Sequence, residues 1–253
     1  MRLLILLILP ALLVGCSTAP KDTLMQVSTI DALLAGVYDG QISVEQLLRY
    51  GNLGIGTFDA LEGEMIVIDG KVYQARVDGT VKEMPKCTTT PFASVVQFSP
   101  DHSASINRLL SEQELLAKVD AMAPNRNLFA AVRFDGTFPS MKVRSVPKQD
   151  KPYPPLAEVT LHQAVFEYAD ITGTVLGFRC PAFVKGINVP EYHLHFISTD
   201  RSQGGHILDF TTGGGMLGVD SCSRFYMLLT DQKQFAAVDL GRDRSEELRK
   251  VEQ

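Results

Sequence analysis

Cysteine is scarce in this chain, and no two of the four stand as Cys-x-x-Cys, so a metal site of that motif is excluded. No dense Lys/Arg block occurs, and the formal net charge is −5, which argues against nucleic acid as a partner. There is no Gly-x-Ser-x-Gly elbow to present a serine nucleophile. Gly51, Gly54 and Gly56 do not sit between a strand and a helix, and no lysine follows them. A dinucleotide fingerprint and a phosphate loop are therefore both absent. Histidine is almost as rare as cysteine, at five residues. Their clustering is the chain's most informative feature.

What is present suits a globular protein. Hydrophobic residues make up 45% and charged residues 21% of the 253 positions, enough for one compact unit or two small domains around a shared core. The first residues read as an export signal. Met1-Arg2 is a short positive start and Leu3–Val14 is apolar, yet shorter than the roughly 20 residues a membrane-spanning helix needs. Leu13-Val14-Gly15-Cys16 then resembles the lipobox of bacterial lipoproteins. Residues 1–15 are expected to be removed, Cys16 to carry lipid and residues 16–27 to form a tether. This places the protein on the cell envelope outside the cytoplasm, held to the membrane by its anchor. Cys87, Cys180 and Cys222 then remain, as one disulfide and a free thiol or as three buried thiols.

Helix signals are local and spaced out. Ser28 or Thr29 can cap a helix from Ile30 to Gly40. Capping boxes stand at Ser43/Gln46, Ser111/Glu114 and Thr160/Gln163, and a last helix is expected over Arg242–Val251. Strands are expected at Met65–Ile68 and Lys71–Arg76 around Asp69-Gly70, with a further turn at Asp78-Gly79. Another pair, Leu128–Phe134 and Phe138–Val146, is expected around Asp135-Gly136. Later strands are expected at Thr174–Phe178, Tyr192–Thr199, His206–Phe210, Arg224–Leu229 and Phe235–Asp239, with Gly213–Gly215 as a turn or a close backbone approach. Helices in isolated groups point to an α+β fold with mainly antiparallel or mixed sheets and a few flanking helices. The proline-rich Pro147–Pro155 reads as a boundary between sub-domains 28–150 and 151–253, each with its own sheet.

Three histidines fall together. His193 and His195 are two apart on an expected strand, so they share a face. The segment Thr199–Gly205 is rich in turn formers, and a tight turn at Asp200-Arg201 sets His206 opposite His195. Three imidazoles on one hairpin face of the C-terminal half suit Zn²⁺ with its fourth position open. Iron, nickel and copper also accept imidazole. His102 and His162 read as structural or surface residues.

Several segments together resemble the acetolactate decarboxylase family. They are Gly56-Thr57-Phe58, Leu61-Glu62-Gly63-Glu64, Asp69-Gly70, Val132–Phe138, Val143–Pro147 and the stretch Glu191–Phe210. The likeness covers nearly all of residues 28–252, and Glu62 departs from it where aspartate is more usual. The resemblance implies that His193, His195 and His206 hold zinc, that Glu64 lies close to the metal and that Arg144 stands beside the substrate. It further implies that Glu252 folds back over the site and that Thr57 contributes to substrate binding. The implied reaction is decarboxylation of 2-acetolactate to acetoin, the step that leads toward butanediol.

The chemistry is coherent with those residues. Breaking the carbon–carboxylate bond leaves an electron pair, and zinc chelating the hydroxyl and ketone oxygens stabilises it as an enediolate. Arg144 offers a planar fork for a carboxylate. Glu64, Glu252, Arg144 and a metal-bound water all remain open as the source of the final proton. A zinc hydrolase and a non-catalytic metal-binding envelope lipoprotein are the alternatives, and a homodimer is among the assemblies to expect.

Overall fold

Thr29 and two of the three capping boxes, both begun by serine, start helices where the sequence places them. The Thr29 hydroxyl accepts from the Ala32 N–H, and both halves of the boxes at Ser43/Gln46 and Ser111/Glu114 are formed. Each such cap contributes about 1 kcal/mol. The structure, a computed structural model, describes residues 20–252. Cys16 and the expected signal segment lie outside the described residues.

In chain order the strands of the first half are β1 (Thr23–Val27), β2 (Ile42–Ser43), β3 (Leu53–Thr57), β4 (Glu64–Ile68), β5 (Lys71–Ala75), β6 (Val81–Glu83), β7 (Thr89–Thr90), β8 (Ala93–Val96), β9 (His102–Ile106), β10 (Leu110–Ser111) and β11 (Phe129–Ser145). The rest are β12 (Ala164–Cys180), β13 (Glu191–Ser198), β14 (Gly204–Thr212), β15 (Gly214–Cys222) and β16 (Arg224–Leu228). The helices are α1 (Ile30–Leu34), α2 (Val44–Leu47), α3 (Glu112–Met122), α4 (Leu156–Val159), α5 (Lys233–Ala236) and α6 (Ser245–Val251).

The architecture is the expected α+β, mostly sheet with few helices. One seven-stranded sheet has the order β16-β1-β8-β3-β4-β5-β6 and a second the order β10-β14-β13-β12-β11-β15-β9, with a small β2–β7 pair beside them. All pairings are antiparallel except β1 with β16. The two large sheets share a core in which Leu24, Ile55, Ile66 and Ile68 meet Phe129, Leu176, Phe178 and Ile197. β4 is buried on both faces. Its Met65 and Val67 pack with Val44 and Leu47 of α2, while Ile66 and Ile68 face the other sheet. That is why it reads as an unbroken apolar run.

Several expectations are corrected. Residues 23–27 are not tether: β1 is buried throughout, with Gln26 donating to the Ser28 and Ile187 carbonyls. The helix over Ile30–Gly40 stops at Leu34, and Gly36 at φ +88° turns the chain. Asp135-Gly136 is no hairpin but the middle of β11. The Asp135 carboxylate is held by Arg133 Nε (2.7 Å) and the Thr174 hydroxyl (2.7 Å), and Gly136 lies between Gly173 and Gly215 of the flanking strands.

Thr160/Gln163 starts no helix. Gln163 is extended, and β12 begins at Ala164 with Phe166 and Tyr168 on one face. Phe235–Asp239 is no strand, since α5 covers Lys233–Ala236, and α6 begins at Ser245 rather than Arg242. Of the glycine triplet, Gly213 forms the turn, while Gly214-Gly215 already belong to β15. Nor does each side of Pro147–Pro155 hold its own sheet. β9, β10 and β11 pair with C-terminal strands, and β16 pairs back with β1.

All three described cysteines are free, with Cys87 exposed and the other two buried. Cys222 pairs with Phe129 of β11, and Cys180 lies on the strand at the other side of β11. Two strand spacings, roughly 9.5 Å, exceed the reach of a disulfide.

Candidate active site

The β13–β14 ladder pairs His195 with His206, Phe196 with Gly205 and Ile197 with Gly204. Its centre falls at Asp200-Arg201, as the turn chemistry requires, although the ladder bonds stop at Ser198 and the Asp200 carboxylate organises the loop by accepting from Ser202. His193 and His195 share a face. The three ring centroids are 4.9 to 5.4 Å apart, and one nitrogen from each ring lies within 4.8 Å of the others. His102 and His162 stay on the surface.

Arg144 reaches this cluster through an irregularity. β11 pairs with β14 from Ser140↔Thr211 to Lys142↔Asp209, then skips Leu208 and resumes as Val143↔Ile207 and Arg144↔His206. Without that bulge Arg144 would face Ile207 and point away from the histidines, because a one-residue slip inverts the faces. His195, His206 and Arg144 therefore form one row across three strands. Gly205 lets them close up: a Cβ there would sit 2.6 Å from the Arg144 carbonyl oxygen.

The other sheet supplies Glu64 from the start of β4. The chain enters β4 through a strained turn in which Ala60, Leu61 and Gly63 have φ of 58°, 59° and 75°. For the two non-glycine residues this costs on the order of 1–2 kcal/mol each. The Thr57 hydroxyl fixes the turn by donating to the Gly63 carbonyl (2.8 Å). Arg144 Nη1 donates to Glu64 Oε1 (3.2 Å), and Glu64 Oε2 lies 3.7 Å from His195 Nε2. Next along β4, the Met65 carbonyl is 2.9 Å from His195 Nδ1. A carbonyl can only accept, so Nδ1 carries the proton and Nε2 is left with a lone pair.

Glu252, just past α6, comes within 3.8 Å of His206 Nε2, and Arg144 Nη2 donates to the Val251 carbonyl (3.2 Å). All seven of Thr57, Glu64, Arg144, His193, His195, His206 and Glu252 are thus brought together. A cavity of about 40 Å³ is lined by all of these but His195, and walled by Ile30, Leu33, Leu61, Phe92, Val146, Leu156 and Val251. A larger hollow of about 390 Å³ beside Asp31 and Arg244 holds none of them. Sequence reasoning missed the carbonyls of Met65 and Val251, which no residue type signals, and the wall residue Leu61.

Two buried polar atoms here have no partner, His195 Nε2 and Arg144 Nε. An orphaned imidazole lone pair could take a metal ion, and an orphaned cationic N–H an anionic ligand. The imidazoles suit the first. Burial pushes all three below the ordinary histidine range, His195 and His206 well below it, which favours the neutral imidazoles that a metal ion would need. Burial likewise raises the Glu64 carboxyl to about 7, against the lowering pull of Arg144 and with a further push from Glu252. A dication on the imidazoles would pull it down again.

Residues 24–242 match the model of the alpha-acetolactate decarboxylase family. The chain belongs to that family. Among curated relatives, the alpha-acetolactate decarboxylase of Methanosarcina mazei is 47% identical over 93% of this chain and 82% of its own length. That of Methylococcus capsulatus is 40% identical over 90% and 87%. The crystal structure of the Bacillus subtilis strain 168 alpha-acetolactate decarboxylase superposes with a TM-score of 0.88 at 35% identity, covering 91% of this chain and 99% of that one. This chain is therefore an acetolactate decarboxylase, a carboxy-lyase. The family match ends at Arg242, so the position of Glu252 in this site rests on the geometry.

Proposed function

We propose that the decarboxylase works with a zinc ion held by His193, His195 and His206 on the β13–β14 hairpin, and that its product is acetoin. The observation that carries this is the buried, unpartnered His195 Nε2 within a trio of neutral imidazoles, next to the unpartnered Nε of Arg144. When bound, zinc supplies the Lewis acidity that lets the hydroxyl and ketone oxygens of 2-acetolactate take up the electron pair left by departing carbon dioxide.

The chain's own residues do the rest. Arg144 directs its free Nε–H at the substrate carboxylate and holds the charge that stays behind on the substrate. Glu64, locked between Arg144 and His195 at the head of a strand, is placed to take up a proton and hand it on to the carbon that loses carbon dioxide. Thr57 holds the Glu64 turn in place through Gly63. Glu252 and Val251 close the site. Both line the cavity of about 40 Å³, where they help to keep water from the reacting groups.

The test is acetoin release from racemic acetolactate by the purified protein, with metal analysis. Turnover is expected to vanish on chelation and to return with zinc. Turnover that survives complete metal removal would end the zinc reading. Ending the chain at Lys250 is expected to lower kcat on the order of 100-fold. An undiminished kcat would make the tail a bystander.

A further inference from the structure

Leu61 adopts a backbone conformation that leucine seldom accepts, directly after an alanine in the same state. The turn is nonetheless pinned from several sides. The Ala60 N–H donates to the Tyr38 carbonyl (2.9 Å), the Gln149 N–H to the Ala60 carbonyl (2.8 Å), and the Gly63 N–H to the Val146 carbonyl (3.2 Å). Gln74 Nε2 donates to the Glu62 carbonyl (2.6 Å). Strain of this kind persists only where the surroundings over-determine it, and it gathers at functional sites. Here it delivers a leucine side chain, 2% exposed, to the wall of the cavity that holds Glu64 and Arg144.

Ile30 and Leu33 come from the short α1, Val251 lies at the end of α6, and Phe92 and Val146 adjoin the strands β8 and β11. Leu61 instead sits three residues before Glu64 on the same pinned turn. Its distance from the Glu64–Arg144 pair is set by backbone.

We propose that Leu61 is the specificity-determining wall of this site and sets how large a group the reacting carbon of the substrate can carry. This rests on the reading of the cavity as the substrate site. The carboxylate, hydroxyl and ketone of acetolactate belong with Arg144 and the imidazoles. Two methyl groups are left over, and they need apolar surface. A wall that cannot retreat admits a methyl on the reacting carbon and penalises an ethyl. One methylene in a hydrophobic pocket changes kcat/KM by about 10–200-fold.

The experiment compares kcat/KM for 2-acetolactate and for the homologue bearing ethyl in place of the methyl on the reacting carbon. Wild type is expected to favour the methyl substrate by about tenfold or more. Leu61→Ala is expected to shrink that preference at least about fivefold. Leu61→Met, of similar volume but with a flexible tip, shrinks it less and decides the matter if the alanine variant does not fold. The same preference in wild type and in every folded Leu61 variant overturns the proposal. Arg144→Lys separates the two readings. It is expected to slow both substrates in proportion, whereas full turnover of both would remove the cavity itself as the substrate site.

Discussion

Replacing His195 by alanine is expected to strip the protein of its metal and of its turnover together. His195 is fully buried, and its ring is held at one end by the Met65 carbonyl, so Nε2 points at the centre of the trio without adjustment. Loss of a partner that merely orients a ligand costs about 10–100-fold in metal affinity. Loss of the ligand itself exceeds that, and the remaining His193 and His206 offer a two-coordinate site. Zinc content after dialysis is expected below about one-tenth of wild type, and kcat/KM down by at least on the order of 1,000-fold. His195→Asn guards against a trivial loss of fold. Its amide Nδ2 takes the place of the ring Nδ1 and can still donate to the Met65 carbonyl, so thermal stability is expected to hold while metal and turnover fall as in the alanine variant. A His195→Ala protein that keeps zinc at wild-type stoichiometry would move the metal elsewhere.

Why the histidines were legible from sequence and their neighbours were not follows from the range of the interactions. His193 and His195 share a face through the two-residue period of any strand. The partner of His195 follows from a short turn, whose centre at Asp200-Arg201 is written in turn-forming residues. The capping boxes at Ser43 and Ser111 are equally local. Arg144 is another matter. Its place beside His206 depends on Leu208 being skipped in the β11–β14 ladder, and nothing in the composition of either strand announces that bulge. Only the family likeness pointed to it.

The errors have the same origin. Asp135-Gly136 carries hairpin chemistry, but pairing with β12 on one side and β15 on the other outweighs it. Thr160/Gln163 carries capping chemistry, but β12 is claimed by β11. β1 looked like a tether because its parallel partner, β16, lies at the far end of the chain. Local signals predict an element when nothing distant competes. Site residues are placed by the distant contacts, which is why one face of a strand was readable and the row across three strands was not.

That row gives the second large effect. Arg144 is 4% exposed and serves two partners at once, Nη1 to Glu64 and Nη2 to the Val251 carbonyl, while its buried Nε is left for a third. A lysine brings the same charge on a single nitrogen and cannot span all three. Arg144→Lys is therefore expected to keep its zinc, since no ligand is touched, and to lose about 100- to 1,000-fold in kcat/KM, the scale set by removing one preorganised donor from a developing negative charge. The loss is expected mainly in kcat. The substrate carboxylate can still find an ammonium group on binding, whereas the charge that grows as carbon dioxide leaves needs the fixed fork. Arg144→Ala carries a second consequence. It leaves Glu64 buried without its counter-charge, so its carboxyl holds its proton to still higher pH, and this variant is expected to lose thermal stability above about pH 7 in its metal-free form while the lysine variant does not. Wild-type kcat in Arg144→Lys would show that the guanidinium only braces Glu64 and the tail, and the anion-holding role would pass to another group in the cavity.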